Sequence, residues 1–293
     1  MDSLWKGTTR EEPLLVVALV DTDSVERAKE VHDTYPTATA ALGRVMSGAL
    51  LLSSFLKDRQ KVMLQVSGDG PLQSVVAEAD GAGQVRGYVK RPHIHLSIRN
   101  GKLDVGRAIG KGFLNVIKDL GIREYYRGSV PLQTGEIARD IAYYLSASEQ
   151  IPAAVSLGVY VDSGNVVKAS GGYLVHPLPG TSEEAIAYLE DRFRRIRPVS
   201  EMILDGMGPG EIMEETVGLP VDVGEKKAVV YRCPCTRDRV LDALAALGRQ
   251  EVDDLVRKGE PVNVECHFCR ERYDVSLGEL ASLLEEIDSP RER

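Results

Sequence analysis

A chain of 293 residues, 43% hydrophobic and 27% charged, is long enough for two domains and has the balance of an ordinary globular protein. Its formal net charge of -8 and pI near 5.3 exclude the basic footprint of a nucleic-acid binder and give no pull toward anionic lipid. No run approaches the roughly 18 apolar residues of a membrane-spanning helix, and the start, Met1-Asp2-Ser3-Leu4-Trp5-Lys6, lacks the features of a signal peptide, so a cytoplasmic protein with reduced thiols and no membrane partner is expected.

Leu14 to Val20 is rich in Val and Leu and reads as a buried strand. Pro36 and Thr37 open a long helix with Leu42, Val45, Met46, Ala49, Leu50, Ser53 and Leu56 at spacings of three and four; so apolar a helix is expected to be central. Lys61–Ser67, Leu72–Asp80 and Gln84–Val89 are divided by Gly68-Asp69-Gly70-Pro71 and Asp80-Gly81-Ala82-Gly83, which predicts an antiparallel meander. Further strands are expected at Phe113–Lys118 and Arg123–Leu132. Thr134 is expected to cap a helix with the stripe Ile137, Ile141, Tyr144 and Leu145. A strand with Val155, Leu157, Val159 and Val161 on one face and another at Val166–Val175 follow. Thr181-x-x-Glu184 reads as a capping box ahead of Ile186, Leu189, Phe193 and Ile196. This mixture predicts an α+β fold: a large N-terminal sheet-and-helix domain over residues 1–205.

Residues 206–228 change character. Gly206, Gly208, Pro209, Gly210, Gly218, Pro220 and Gly224 punctuate them, as in a linker, with a short helix at Glu211–Val217. Ile212, Met213, Val217, Leu219, Val221 and Val223 make this linker more apolar than a plain spacer. Residues 229–293 read as a small C-terminal domain. It has a strand into Cys-Pro-Cys, a helix with Val240, Leu241, Leu244 and Leu247, and a second helix stopping at Gly259. A hairpin over Val262–Val275 and a helix opened by the capping box Ser276-x-x-Glu279 complete it. A core this small needs a staple.

The cysteines supply one. All four lie in this segment, as Cys233-Pro-Cys235 and Cys266-His-Phe-Cys269, two close pairs 30 residues apart. That is the layout of a four-thiolate zinc site, and soft sulfur ligands favour zinc over magnesium or calcium. One Zn2+ per chain is expected in the reduced form. Zinc binding to such domains is coupled to folding by roughly 10–16 kcal/mol, so oxidising the thiolates would release the metal and the staple together. Spacing alone leaves a static structural site and a switch both open. Arg232, Arg237, Arg270 and Arg272 flank the ligands and would favour thiolate over thiol, or are ordinary surface charges. His267, inside the second pair, is read as a bystander.

Other signals are set aside. Gly106–Gly112 is too short for a phosphate loop and lacks its Ser or Thr. Ser54-Phe-Leu-Lys57 lacks the partner motifs of acyl-transfer enzymes. His93-Ile-His95 puts two histidines on one strand face, and His32 and His176 belong to no motif. With no catalytic signature in sight, the chain is not expected to be an enzyme.

The cysteine pattern at the end of a chain of this size resembles the redox-regulated heat-shock holdase chaperone family of bacteria, HslO. So do Thr34-Tyr-Pro-Thr-Ala-Thr-Ala-Ala-Leu-Gly-Arg44, Gly101-Lys-Leu-Asp-Val105, Val116-Ile-Lys-Asp-Leu-Gly121 and Thr134-Gly-Glu-Ile-Ala138. Tyr143 to Pro152 and Gly171-Gly172 leading to Leu178-Pro-Gly180 match as well. The resemblance spans nearly the whole chain and all four ligand positions. It implies a dormant, zinc-loaded reduced form. Oxidation then forms Cys233–Cys235 and Cys266–Cys269 disulfides, releases zinc, unfolds the small domain and linker, and exposes apolar surface. It further implies a homodimer when oxidised, unfolding client proteins held without ATP, and transfer to ATP-driven foldase chaperones.

Two other classes compete. A zinc-ribbon nucleic-acid or tRNA-associated protein sits poorly with the acidic charge. A thiol-disulfide oxidoreductase using Cys266 and Cys269 would place the Cys-x-x-Cys near a βαβ pattern, which the sequence lacks.

Overall fold

The computed structural model describes residues 1–97, 101–122 and 124–288 and divides into two compact units, Met1–Arg232 and from Cys233 onward. In the first unit the elements run β1 (Ser3–Thr9), β2 (Leu14–Val20), α1 (Thr22–His32), α2 (Pro36–Ser53), β3 (Lys61–Gly68), β4 (Ser74–Asp80), β5 (Gln84–Val89), α3 (Val105–Ile109), β6 (Gly112–Asp119), β7 (Tyr126–Pro131), α4 (Ala138–Glu149), β8 (Ala154–Val161), β9 (Val167–Pro177), α5 (Glu183–Arg195), α6 (Val199–Leu204), α7 (Pro209–Val217), β10 (Val221–Ala228) and β11 (Val230–Tyr231). The second unit holds α8 (Arg237–Ala245), α9 (Arg249–Lys258), β12 (Val262–Glu265), β13 (Arg272–Val275) and α10 (Leu277–Asp288). The fold class is α+β, as the sequence indicates.

Two sheets build the first unit, with orders β10-β1-β2-β9-β8 and β11-β5-β4-β3-β6-β7. All pairings are antiparallel except β11 with β5. The meander appears as β3-β4-β5. Helix α2 packs on strands of both sheets, and from Thr37 to Ser53 only Arg44 escapes burial. That explains its apolar character on every side. Strand β2 is buried on both faces: Val17 and Leu19 join the core around α2, while Leu14, Val16 and Ala18 join a second core with Val199, Met202, Ile212, Met213 and Val217. A strand sandwiched this way reads as an unbroken apolar run rather than an alternating one.

Residues 206–228 are folded into the first unit. Ile212, Met213 and Val217 of α7 are fully buried in that second core, and β10 pairs along the whole of β1. The Gly/Pro punctuation marks the ends of α7: Pro209 stands at its start, and Gly218 closes it in the left-handed conformation at φ 70°. Arg192 on α5 donates from Nε to the carbonyls of Glu215 and Thr216, both at 3.0 Å, satisfying the last-turn carbonyls that a helix leaves open.

Local departures have local causes. Thr134 does not cap α4. The Asp140 carboxylate accepts the N–H groups of Gln133, Thr134 and Ile137, so the chain loops first and the helix begins at Ala138. Thr181 does not cap α5 either: Ser182 Oγ accepts from Ala185 N–H at 3.1 Å, and Thr181 Oγ1 donates to the carbonyls of Pro13 and Leu178. His93 and His95 lie outside any strand, both against the Tyr35 ring. Arg123, the proposed start of β7, lies outside the described residues. β1 and α1 were not anticipated. Among the described residues, no helix is long and apolar enough to cross a membrane.

One buried charge sets a pH dependence. Asp21 is fully buried ahead of α1, and its Oδ2 accepts from Ser47 Oγ at 2.7 Å. Desolvation pushes its carboxyl up to about 7 from an ordinary 3.8. The folded state then binds the proton more tightly than the unfolded one, so stability falls as pH rises from about 4 to 7, by roughly 4 kcal/mol. Asp21→Asn should therefore stabilise the first unit at pH 8 and do little at pH 5. Denaturant melts at both pH values check this, and an equal effect at both would refute it.

Candidate metal centre

The second unit has a small core of its own: Val240, Leu244, Val252, Val275, Leu280 and Leu283 are buried, with Val264, Tyr273 and others packed around them. Thr236 caps α8, accepting from Arg239 N–H at 3.3 Å, and so anchors the segment that carries Cys233 and Cys235. Gly259 ends α9 in the left-handed conformation. The expected capping box opens α10: Ser276 N–H donates to Glu279 Oε2 at 2.9 Å, and Glu279 N–H to Ser276 Oγ at 3.3 Å.

Cys266 and Cys269 occupy the turn between β12 and β13. Cys266 N–H bonds the Glu271 carbonyl at 2.9 Å, and Arg270 N–H returns to the Cys266 carbonyl at 2.8 Å. Arg270 sits at φ 62°, which folds the turn back on itself. The turn thus brings both sulfurs toward the Cys-Pro-Cys segment. Cys235 Sγ lies 3.1 Å from Cys269 Sγ, Cys233 Sγ lies 3.8 Å from Cys266 Sγ, and all four are within 4.8 Å of one another. The four cysteines form no disulfide and are half-buried.

These distances fit a single ion. A tetrahedron with zinc–sulfur bonds of about 2.3 Å has edges of about 3.8 Å. The donor set is four soft sulfurs, suited to zinc and unsuited to magnesium or calcium. Both of these contacts run from one sequence pair to the other, so the two pairs converge on one point. Burial and the adjoining sulfurs push the Cys269 thiol up; a divalent cation bound there reverses that balance and holds thiolates. His267 is exposed and all four converging ligand atoms are sulfur, so its reading as a bystander agrees with the geometry.

Three of the four flanking arginines pair with carboxylates. Arg237 makes a bidentate pair with Glu279, both bonds at 2.7 Å. Arg270 and Arg272 both bond Glu265, at 2.8 and 2.9 Å. Arg232 belongs to the first unit, where its N–H bonds the Val85 carbonyl. Arg237 ties α8 to α10, and Arg270 and Arg272 share one carboxylate within the hairpin, so the three cations meet two anions. Glu279 is held down to about 2 by the Ser276 N–H, then by Arg237. What the sequence reading missed is Tyr273, whose hydroxyl donates to Cys235 Sγ at 3.3 Å. Its spacing four residues past Cys269 carried no motif.

The chain matches the family model described as Hsp33 protein over residues 2–276. The chain belongs to the Hsp33 family. The 33 kDa chaperonin of Thermodesulfovibrio yellowstonii is 56% identical over 287 residues, covering 98% of this chain and all of that one. The 33 kDa chaperonin of Bacillus subtilis is 38% identical, covering 98% and 99%. Among solved structures, the Hsp33 homologue of Thermotoga maritima superposes with a TM-score of 0.88 at 34% identity, covering 98% of this chain and 99% of that one. Membership of the Hsp33 family supports a chaperone function.

Proposed function

We propose that this Hsp33-family chain is a redox-regulated, ATP-independent holdase. The observation that carries the reading is the convergence of four thiols in the unit least able to fold alone. Cys233, Cys235, Cys266 and Cys269 hold one zinc in the reduced protein, and bound zinc ties the hairpin turn to the segment ahead of α8. The Cys-x-x-Cys lies in a hairpin turn rather than at a helix start in a βαβ unit, which favours a switch over a disulfide oxidoreductase.

The redox step is thiol chemistry. Cys233 with Cys235, and Cys266 with Cys269, each give up two electrons: two thiolates, one hydrogen peroxide and two protons become one disulfide and two waters. Two peroxides thus consume all four ligands. In this reading residues 229–293 are the switch, residues 206–228 the segment that undocks, and residues 1–205 the chaperone core. Release of α7 bares Leu14, Val16, Ala18 and Val175, now covered by Ile212, Met213 and Val217. Contiguous apolar surface of this kind binds unfolding proteins. The oxidised form dimerises in the bacterial cytoplasm and passes clients to ATP-driven foldases once reducing conditions return.

Light scattering of a heat-aggregating client tests this. Oxidised protein should suppress aggregation near stoichiometrically without ATP, and reduced protein should not. Equal protection by both forms would leave a static zinc domain as the better account.

A further inference from the structure

We infer that Tyr273 is a positioning residue of the metal centre, holding Cys235 in place from the hairpin that carries the other ligand pair. The inference rests on the zinc reading above and goes beyond its four ligands.

Tyr273 stands on β13, directly across from Val264 on β12. Its ring packs among the side chains of the second unit's core. Its hydroxyl donates to Cys235 Sγ at 3.3 Å, a sulfur of the Cys-Pro-Cys segment. The hairpin itself supplies Cys266 and Cys269. One side chain therefore joins the hairpin's ligand pair to a cysteine of the other pair, and joins both to the apolar core.

Charge makes such a donor matter. Four thiolates around a divalent ion leave a net charge of −2 in a half-buried site. The guanidiniums of Arg237, Arg270 and Arg272 pair with Glu279 and Glu265. The Tyr273 hydroxyl is a side-chain donor aimed at sulfur. Hydrogen bonds to charged acceptors are among the stronger ones, and outer partners of metal ligands typically carry a 10–100-fold effect on affinity. A ring anchored in the core fixes the donor, so Cys235 Sγ is oriented before metal arrives.

Tyr273→Phe is the test, because it keeps the ring and deletes only the donor. In reduced full-length protein, zinc affinity measured against a chromogenic chelator should fall about 10–100-fold. In the cobalt(II)-loaded protein, the sulfur-to-cobalt charge-transfer band should move to longer wavelength, since the sulfur lone pair loses its donor. A purely structural role for the ring moves neither. Wild-type affinity and an unshifted band in the variant would overturn the proposal while leaving the metal centre intact. Wild type that binds neither ion would overturn both. A variant whose α8, α9 and α10 stay unprotected in amide exchange at saturating zinc would also overturn it, because the effect would then not be confined to the hydroxyl.

Discussion

Cys269→Ser should leave the reduced protein without tight zinc and without a folded second unit. A serine hydroxyl does not ionise near neutral pH, so the site falls from four anionic ligands to three. Cys269 stands 3.1 Å from Cys235 Sγ and anchors the far end of the hairpin turn, so its loss opens the cluster where it is tightest. Affinity should drop by more than about 100-fold, the upper range for losing an outer-shell partner alone. In domains of this kind roughly 10–16 kcal/mol of metal binding is folding free energy. The core around Val252, Val275 and Leu280 is too small to replace it. The first unit has its own core around α2 and should be unaffected. Elemental analysis reads the metal, and amide exchange reads the fold: protection should vanish in α8, α9 and α10 and persist in α2. A variant that keeps one tightly held zinc, or keeps its second unit protected, would remove that cysteine from the site.

The second large effect is expected from Met213→Glu. Met213 is fully buried on α7, packed with Ile212 and Val217 against the face of β2. A carboxylate placed there has no partner, and an uncompensated buried charge costs about 3–5 kcal/mol. The segment can escape that cost by undocking without unfolding the rest of the unit, because local openings need less free energy than global unfolding. What opposes release is the remaining apolar contact and the Arg192 cap on Glu215 and Thr216. In reduced, zinc-loaded protein the variant should lose amide protection over α7 while α8, α9 and α10 stay protected. It should also hold clients partially without oxidant. Arg192→Met removes the capping hydrogen bonds together with a long one to the Tyr188 hydroxyl, and should act in the same direction, by about 1–2 kcal/mol. A Met213→Glu protein with α7 fully released and no gain in client protection would refute the assignment of the α7-covered face as client surface.

Much of this organisation was legible in the sequence because it is written in local chemistry. The run Leu14–Val20 is apolar because both of its faces are covered, and no distant fact was needed to see a buried strand. Gly-rich turns delimited the β3-β4-β5 meander. Ser276 with Glu279 closed a capping box at its expected spacing. Cys-Pro-Cys and Cys-His-Phe-Cys identified a sulfur-rich ion site from ligand type and interval alone, since tetrahedral thiolate chemistry restricts both. The larger resemblance came from short blocks in fixed order.

Tertiary structure decided what depends on partners far apart in the chain. β1 carries no clean alternation, and it is a strand because β2 on one side and β10, more than 200 residues later, complete its hydrogen bonds. Residues 206–228 have the Gly/Pro punctuation of a linker with apolar residues between, and the apolar face of β2 and β9 gives α7 somewhere to bury Ile212 and Met213. Thr134 and Thr181 lost their caps to Asp140 and Ser182, each one better placed to meet a free N–H. Whether Arg237, Arg270 and Arg272 serve the sulfurs or are ordinary surface charges was open in the sequence; in the fold they pair with Glu279 and Glu265. Spacing selects ligands because a metal constrains neighbours along the chain; it says nothing of Tyr273 or Asp21, whose roles exist only where folding brings a hydroxyl to a sulfur or seals a carboxyl from water.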